Sequence, residues 1–502
     1  MTWRSQRVEY RIDRSQTQAM SLQYDLLIRN ALIVDGSHRP RYAGDIGVRG
    51  GRIAGIGQLQ HARAEREIDA QGKIAAPGFI DAHTHDDRLL GSDPAMTPKV
   101  SQGVTSVITG NCGISLAPLV AASPPAPLDL IDDGGAFRFP DFASFLEELD
   151  SRPAATNVAC LVGHTTLRVA AMSRLDRAAT PGETARMQMM AREALAAGAI
   201  GLSTGTYYPP AAHATTEEII AVAQPLKAYG GRYVTHMRYE DDRIVESMEE
   251  TFRIGREVGV PVIISHHKLM GSRNHGRSTE TLALVRRAGE RQSVCLDCYP
   301  YAASSTMLRA DRIALSSRIL ITWSKPHPEF AGMELAQAAA RLGISQEQAV
   351  AALSPAGAIY FSMDEADVRR ILQFDETMVG SDGLPHDVKP HPRLWGTFAR
   401  VLGHYCRDLQ LFPLETAIYK MTGLTARNFG LKERGLLQPG YWADITIFDA
   451  AQIGDAASFD APTRAARGID SVIVNGVPVW QEGRSTGARP GRLLRAGAVI
   501  ES

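Results

Sequence analysis

Apolar and polar positions set two textures along this chain. In the first, Tyr24–Val34 (YDLLIRNALIV), Asp45–Val48 and Arg52–Ile56 read as short strands broken by Gly36, Gly47, Gly50 and Gly51. Ile68–Ile74 continues the pattern, with Gly72 at a turn. From Phe79 to about Gly430 the texture changes. Apolar strand-like runs recur at Thr105–Thr109, Val158–Val162, Ile200–Ser203, Tyr233–Thr235, Val260–Ser265, Val294–Asp297 and Thr377–Gly380. Between them lie stretches of helical period: Glu183–Ala197, Thr216–Tyr229, Asp242–Val258 and Thr279–Glu290. Thr180-Pro181-Gly182-Glu183 predicts a capping box with proline at the first helical position.

Strands alternating with helices predict a parallel α/β sheet, and about eight repeats over this length suit a (β/α)8 TIM-like barrel. Met307 to about Ile359 is too long for a simple connection and carries a helical run, Met333–Leu342, so it reads as an insertion, a lid or subdomain over the barrel mouth. Beyond Gly430 the chain returns to strands, Ala443–Phe448 and Val472–Val479, the second turning at Asn475-Gly476. The two strand-rich ends predict one small β-domain built from both termini. The expected division is a disordered leader over 1–20, a β-domain over 21–78 and 435–502, and a catalytic barrel over 79–434 with the insertion at about 307–359.

Composition narrows the partners. A net charge of −1 lacks the basic excess of a nucleic-acid binder. No run reaches the roughly eighteen apolar residues that a membrane-spanning helix needs. Cys112, Cys160, Cys295, Cys298 and Cys406 are few, odd in number and scattered, which fits a reducing cytoplasm and not a disulfide framework. The leader is arginine-rich but has no apolar centre, so it is not a secretory signal. Met20 is an alternative start. A small molecule is the expected partner, and oligomeric state is not readable.

In a barrel, function gathers where strands end. His83 and His85 follow Phe79-Ile80, and alternation on an extended chain points both the same way. Cys112 follows the second run, His236 the fifth, His266 and His267 the sixth, and Asp382 the last. Each alone has a bland reading: a buried thiol, a structural histidine, a turn aspartate. Together they form a donor set suited to zinc. Only one of the neighbouring pair His266 and His267 can face the barrel axis, and periodicity does not choose between them. Cys295-Leu-Asp-Cys298 has no second pair, which favours a structural role.

The stretches GFIDAHTHDD, VSQGVTSVITGNCGISLAP, GLSTGTYYPP, ISHHK, DCYPYAASST and GSDGLPHDVKPHPRLWGTF resemble the D-aminoacylases, N-acyl-D-amino-acid deacylases of the amidohydrolase superfamily. The resemblance runs from about Tyr24 to Arg495. It implies a tight zinc held by Cys112, His236 and His266, and a second, weaker site formed by His83, His85 and Asp382, with the cysteine bridging. It implies Asp382 as general acid/base, and Lys268, Tyr299, Ser305 and Arg393 as substrate-binding residues. By itself Arg393 would read as a surface ion pair and Lys268 as a snorkelling strand-end lysine. The implied activity is zinc-dependent hydrolysis of N-acyl-D-amino acids. A deacylase for N-acyl-D-glutamate or N-acyl-D-aspartate, or a cyclic-amide hydrolase, is the alternative. A non-catalytic protein on the same fold is disfavoured because no implied ligand is missing.

Overall fold

Eight parallel strands close a barrel in the computed structural model, which describes residues 23–132 and 134–496. They are β1 (Phe79–Asp81), β2 (Val104–Thr109), β3 (Asn157–Cys160, resuming at Val162–Gly163), β4 (Gly201–Gly205), β5 (Arg232–His236), β6 (Val262–Ile264), β7 (Val294–Cys298) and β8 (Thr377–Val379). The ring closes between β8 and the end of β1, where Ala82 N donates to Val379 O at 3.2 Å and Thr84 bridges Gly383. The expected 1–20 leader lies outside the described residues.

These strands form because most of their residues are apolar or small and buried on both faces, as parallel sheets demand. Register places Val234 beside Ile263 and Ile263 beside Cys295. Those side chains join Ile80, Ile108, Ala159 and Met378 inside the barrel. Leu424 and Phe429, from the helix Gly423–Phe429, join the same buried cluster. Each such buried aliphatic group contributes about 1.5–3 kcal/mol. The Cys-x-x-Cys is thereby accounted for. Cys295 belongs to this interior cluster while Cys298 belongs to the cluster outside it, and burial raises both thiols.

The helices follow their sequence signals. Thr180 and Glu183 close the capping box at the start of Pro181–Ala197. Ile244–Val258 buries Ile244, Met248, Phe252, Gly255 and Val258 along one face and stops at Gly259, which takes the left-handed φ of 74°. One expectation shifts. The helix predicted over Thr216–Tyr229 stops at Ala223, because Pro225 follows and the chain tightens to a 3₁₀ turn, Gln224–Lys227. The run Ile68–Ile74 turns at Gly72 as expected. Gln71 and Gly72 (φ 53° and 77°) turn the chain between Ala64–Asp69 and Ile74–Pro77.

One nine-stranded sheet takes strands from both ends of the chain. Ile74–Pro77 pairs antiparallel with Ile445–Phe448, Ala75 opposite Ile447. The hairpin Ile469–Val474/Val477–Gln481 turns through Asn475 and Gly476, both at positive φ. Between β7 and β8 a three-stranded antiparallel sheet, Ser304–Met307, Ala356–Tyr360 and Ile319–Ser324, packs with the helices Leu335–Leu342 and Gln346–Leu353 around its own apolar core.

One buried ion cluster makes a stability prediction. Glu218 accepts from the fully buried Arg168 and from Ala179 N, and lies 3.2 Å from His164 Nε2. Burial alone would raise the Glu218 carboxyl, but His164 and Arg168 hold it down to about 2. The stabilisation is therefore present above the unfolded value of ~4.3 and lost as pH falls toward the folded one. Glu218→Gln leaves Arg168 buried without a counter-ion and should cost about 3–5 kcal/mol at pH 7. Urea unfolding at pH 7 and pH 4 checks both points. The variant should lack this part of the acid sensitivity, and equal stability at pH 7 would contradict the account.

Candidate active site

All six predicted ligands converge at the carboxyl ends of the strands, and all are buried. β1 ends at Asp81, so His83 and His85 stand on the chain just beyond it. Asp81 fixes that exit by accepting from Lys99 Nζ at 2.8 Å and from Ser381 N, beyond β8, at 2.7 Å. Cys112 (φ 56°), His266 (φ 35°) and Asp382 (φ 50°) all take left-handed backbone, a costly conformation for residues with a Cβ. Strain at three converging side chains marks the place where the fold holds geometry against local preference. After Cys112, Gly113 allows the close approach: a Cβ there would lie 2.6 Å from Thr165 Oγ1 and 2.8 Å from Gly205 N.

The donor atoms fall into two groups that share one thiol. Cys112 Sγ lies 3.3 Å from His266 Nε2, which lies 3.0 Å from His236 Nδ1. On its other side Cys112 Sγ lies 3.3 Å from His83 Nε2. Asp382 Oδ1 completes that group, 3.3 Å from His85 Nε2 and 3.6 Å from His83 Nε2. A tetrahedral ion with bonds of ~2.0–2.3 Å spaces its ligand atoms about 3.3–3.8 Å apart, and the donor spacings here, 3.0–3.6 Å, lie at or just under that range. His83 Nδ1 faces Asp297 Oδ2 (3.3 Å), which favours a lone pair on its Nε2 toward the thiol, while His266 Nδ1 lies between Lys268 Nζ (2.8 Å) and Glu240 Oε1 (3.1 Å). Burial would raise the Cys112 thiol, but His83 and His266 hold it well below the ordinary thiol range. A thiolate among imidazoles suits zinc better than a hard divalent ion.

His266 is the member of its pair that enters the site; His267 turns away, its Nε2 2.9 Å from Thr281 Oγ1. Arg393 is fully buried, unlike the surface arginine that residue type alone suggests. Its Nη1 lies 2.9 Å from Asp382 Oδ2, and its Nη2 donates to the Ser305 carbonyl at 3.1 Å. Burial would raise the Asp382 carboxyl, but Arg393, with His266 and His85, keeps it well below the usual carboxylate range. Lys268 Nζ donates to Glu240 Oε1 at 2.5 Å. The Tyr299 ring lies beneath the Arg393 guanidinium, 4.5 Å from centroid to Cζ. Ser305 lines the cleft, but its hydroxyl donates to Ala358 O within the inserted sheet.

Three residues of the site escaped sequence reasoning. Glu240 ties Lys268 to His266 and also lies 3.6 Å from His236 Nε2. Asp297 holds His83 Nδ1 and accepts from His266 N at 2.8 Å. Its signal was legible as a charge within a run otherwise fit for a buried strand, VCLDC. Arg312, from the segment between β7 and β8, is buried at the cleft between the Tyr207 and Tyr360 rings. No carboxylate stands within ion-pair distance of it among the described residues, and nothing in its sequence neighbourhood marked it.

A barrel that gathers four imidazoles, a thiolate and a carboxylate at the carboxyl ends of its strands defines a metal-dependent hydrolase. The sequence profile of the amidohydrolase family matches residues 66–342 and 336–480, and the chain belongs to that family. It is 60% identical over 478 residues to the D-aminoacylase of Alcaligenes xylosoxydans xylosoxydans, covering 95% of this chain and 99% of that one. It is 54% identical over 489 residues to the N-acyl-D-aspartate deacylase of the same organism, covering 97% and 98%. The crystal structure of the N-acyl-D-glutamate deacylase of Bordetella bronchiseptica, complexed with zinc and a phosphonate inhibitor that mimics the tetrahedral intermediate, superposes with a TM-score of 0.92 at 46% identity. That match covers 94% of this chain and all of the other.

Proposed function

We propose that this hydrolase cleaves the amide bond of N-acyl-D-amino acids, releasing a carboxylate and the free D-amino acid. The observation that carries the reading is the double donor set meeting at Cys112 Sγ beside the Asp382–Arg393 pair. Cys112, His236 and His266 would hold the tight zinc; His83, His85 and Asp382, with Cys112, would form the weaker second site. A zinc ion held there would supply a water nucleophile near neutral pH, by lowering its pKa from ~15.7 toward ~7.

The rest is done by the chain. Asp382 accepts the water proton at a carboxylate oxygen and returns it to the leaving nitrogen, because an amine anion is too basic to depart unprotonated. Arg393 anchors the substrate α-carboxylate through its planar fork, which suits two parallel hydrogen bonds. Lys268, which lines the cleft, adds a second cation. The Tyr299 hydroxyl donates to the oxyanion that forms on the acyl carbon. Asp297 keeps His83 in the tautomer that leaves Nε2 free, and Glu240 with Lys268 positions the His266 ring. The free thiols support a cytoplasmic location, and no described helix is long and apolar enough to cross a membrane.

A second reading, preference for N-acyl-D-aspartate or N-acyl-D-glutamate, is favoured by Arg312, whose buried charge has no carboxylate beside it. A panel of hydrophobic, acidic and basic N-acetyl-D-amino acids separates the two. Activity on hydrophobic members above acidic ones supports the broad reading. A preference for the acidic members of about tenfold or more, lost in Arg312→Met, supports the second. Release of no amine from any member would refute both.

A further inference from the structure

The amino end of the barrel strands, opposite the catalytic cleft, carries a cavity of about 500 Å³ that shares a wall with a second of about 290 Å³. Ligand pockets commonly span about 300–1,000 Å³. No acidic side chain lines either cavity, whereas Arg232, Lys432 and Arg434 line both. The cations differ in how they are neutralised. Arg434 pairs with Asp444, and Arg427 pairs with Glu376 at 2.7 Å. Arg232, Lys432 and Arg492 have no carboxylate within ion-pair distance among the described residues.

Arg232 is the first residue of β5, four positions before the ligand His236. Its guanidinium is fixed by two backbone carbonyls: Nε donates to Asn428 O at 2.9 Å and Nη1 to Gly230 O at 2.5 Å. Those bonds orient the group without cancelling its charge. Gly430 lets it lie there, since a Cβ at that position would stand 2.3 Å from Nη2. Burial lowers the Arg232 pKa, the signature of a cation taken from water with no acid in return. The Arg492 Cζ lies over the Trp442 ring, 4.0 Å from its centroid. Tyr229, Tyr441, Leu431 and Leu436 supply an apolar and aromatic wall for an organic body.

We infer that this end of the barrel binds a small phosphate-bearing molecule, its phosphate oxygens held by Arg232, Lys432 and Arg492 and its remainder resting on the tyrosine and leucine wall. Phosphate fits better than a single carboxylate because it offers two charges and three acceptor oxygens to three unneutralised cations.

The test titrates the full-length, zinc-loaded protein with adenosine 5′-monophosphate, inorganic pyrophosphate and uncharged adenosine, followed by calorimetry and thermal unfolding. Saturable binding with a Kd at or below about 1 mM is expected for at least one phosphate probe and not for adenosine, weakening as salt rises. The two phosphate arms separate an organic from an inorganic source. Arg232→Gln should weaken binding at least tenfold with zinc content unchanged. Lys432→Ala, at an exposed position, should also weaken it and carries the test if the first variant fails to fold. Binding that survives both variants, or is lost only in Cys112→Ala, would place the anion elsewhere and overturn the proposal. So would the absence of saturable binding up to about 10 mM.

Discussion

Asp382→Ala should lower the turnover of N-acetyl-D-amino acids by about 10³–10⁴-fold while one zinc per chain remains bound, at the upper end of what general acid–base groups contribute. The expectation separates two roles that meet in one side chain. Asp382 Oδ1 belongs to the group with His83 and His85, whereas Cys112, His236 and His266 form a complete set without it. On the proposed roles the tight metal should survive the substitution and the proton shuttle should not. Arg393 loses its carboxylate partner at 2.9 Å and is left buried, so circular dichroism and the zinc assay must first show a folded, loaded protein. Near-normal turnover in such a protein would refute the assignment. Zinc content falling in step with activity would make Asp382 a ligand of the tight site instead.

Cys112→Ala should be the more damaging change to the metal. Its Sγ is the one atom common to both donor groups, 3.3 Å from His83 Nε2 and 3.3 Å from His266 Nε2. Removing it leaves one group with two imidazoles and the other with two imidazoles and a carboxylate. It also removes the negative charge that His83 and His266 favour. Loss of an outer-shell partner typically weakens a metal about 10–100-fold, so loss of this inner ligand should exceed 100-fold. Chelator competition, with zinc measured after dialysis, reads the effect directly. Turnover should fall below detection at micromolar zinc and recover only in part at high zinc. Unchanged stoichiometry and affinity would remove Cys112 from the site.

Much of this was legible in residue order because a parallel barrel strand is buried on both faces and reads as a continuous apolar run. The polar residue that ends such a run then falls at the catalytic mouth. That rule marks His83, Cys112, His236, the pair His266–His267 and Asp382. What the rule misses is set by conformation or by distant chain. No residue code announces that Cys112, His266 and Asp382 take positive φ, and strand alternation beyond β6 did not decide between His266 and His267. Glu240 and Asp297 act through neighbours brought together only by the closed ring. Arg312 comes from the inserted segment, whose contacts depend on how its small sheet sits on the barrel. Arg393 shows the opposite failure: the general surface preference of arginine is overruled by a buried carboxylate. The Cys-x-x-Cys motif dissolves for a geometric reason, since one thiol enters the barrel interior and the other the shell outside it.

The central claim is that the Cys112-centred donor set, with Asp382 and with Arg393 and Lys268 holding the α-carboxylate, serves the amide bond of N-acyl-D-amino acids. The direct measurement is kcat/KM of the zinc-loaded protein on N-acetyl-D-methionine and on its L-enantiomer under identical conditions. The account predicts hydrolysis of the D form at least about 100-fold above the L form, a difference of ~2.7 kcal/mol in transition-state stabilisation. Equal rates, or hydrolysis of the L form alone, would contradict it.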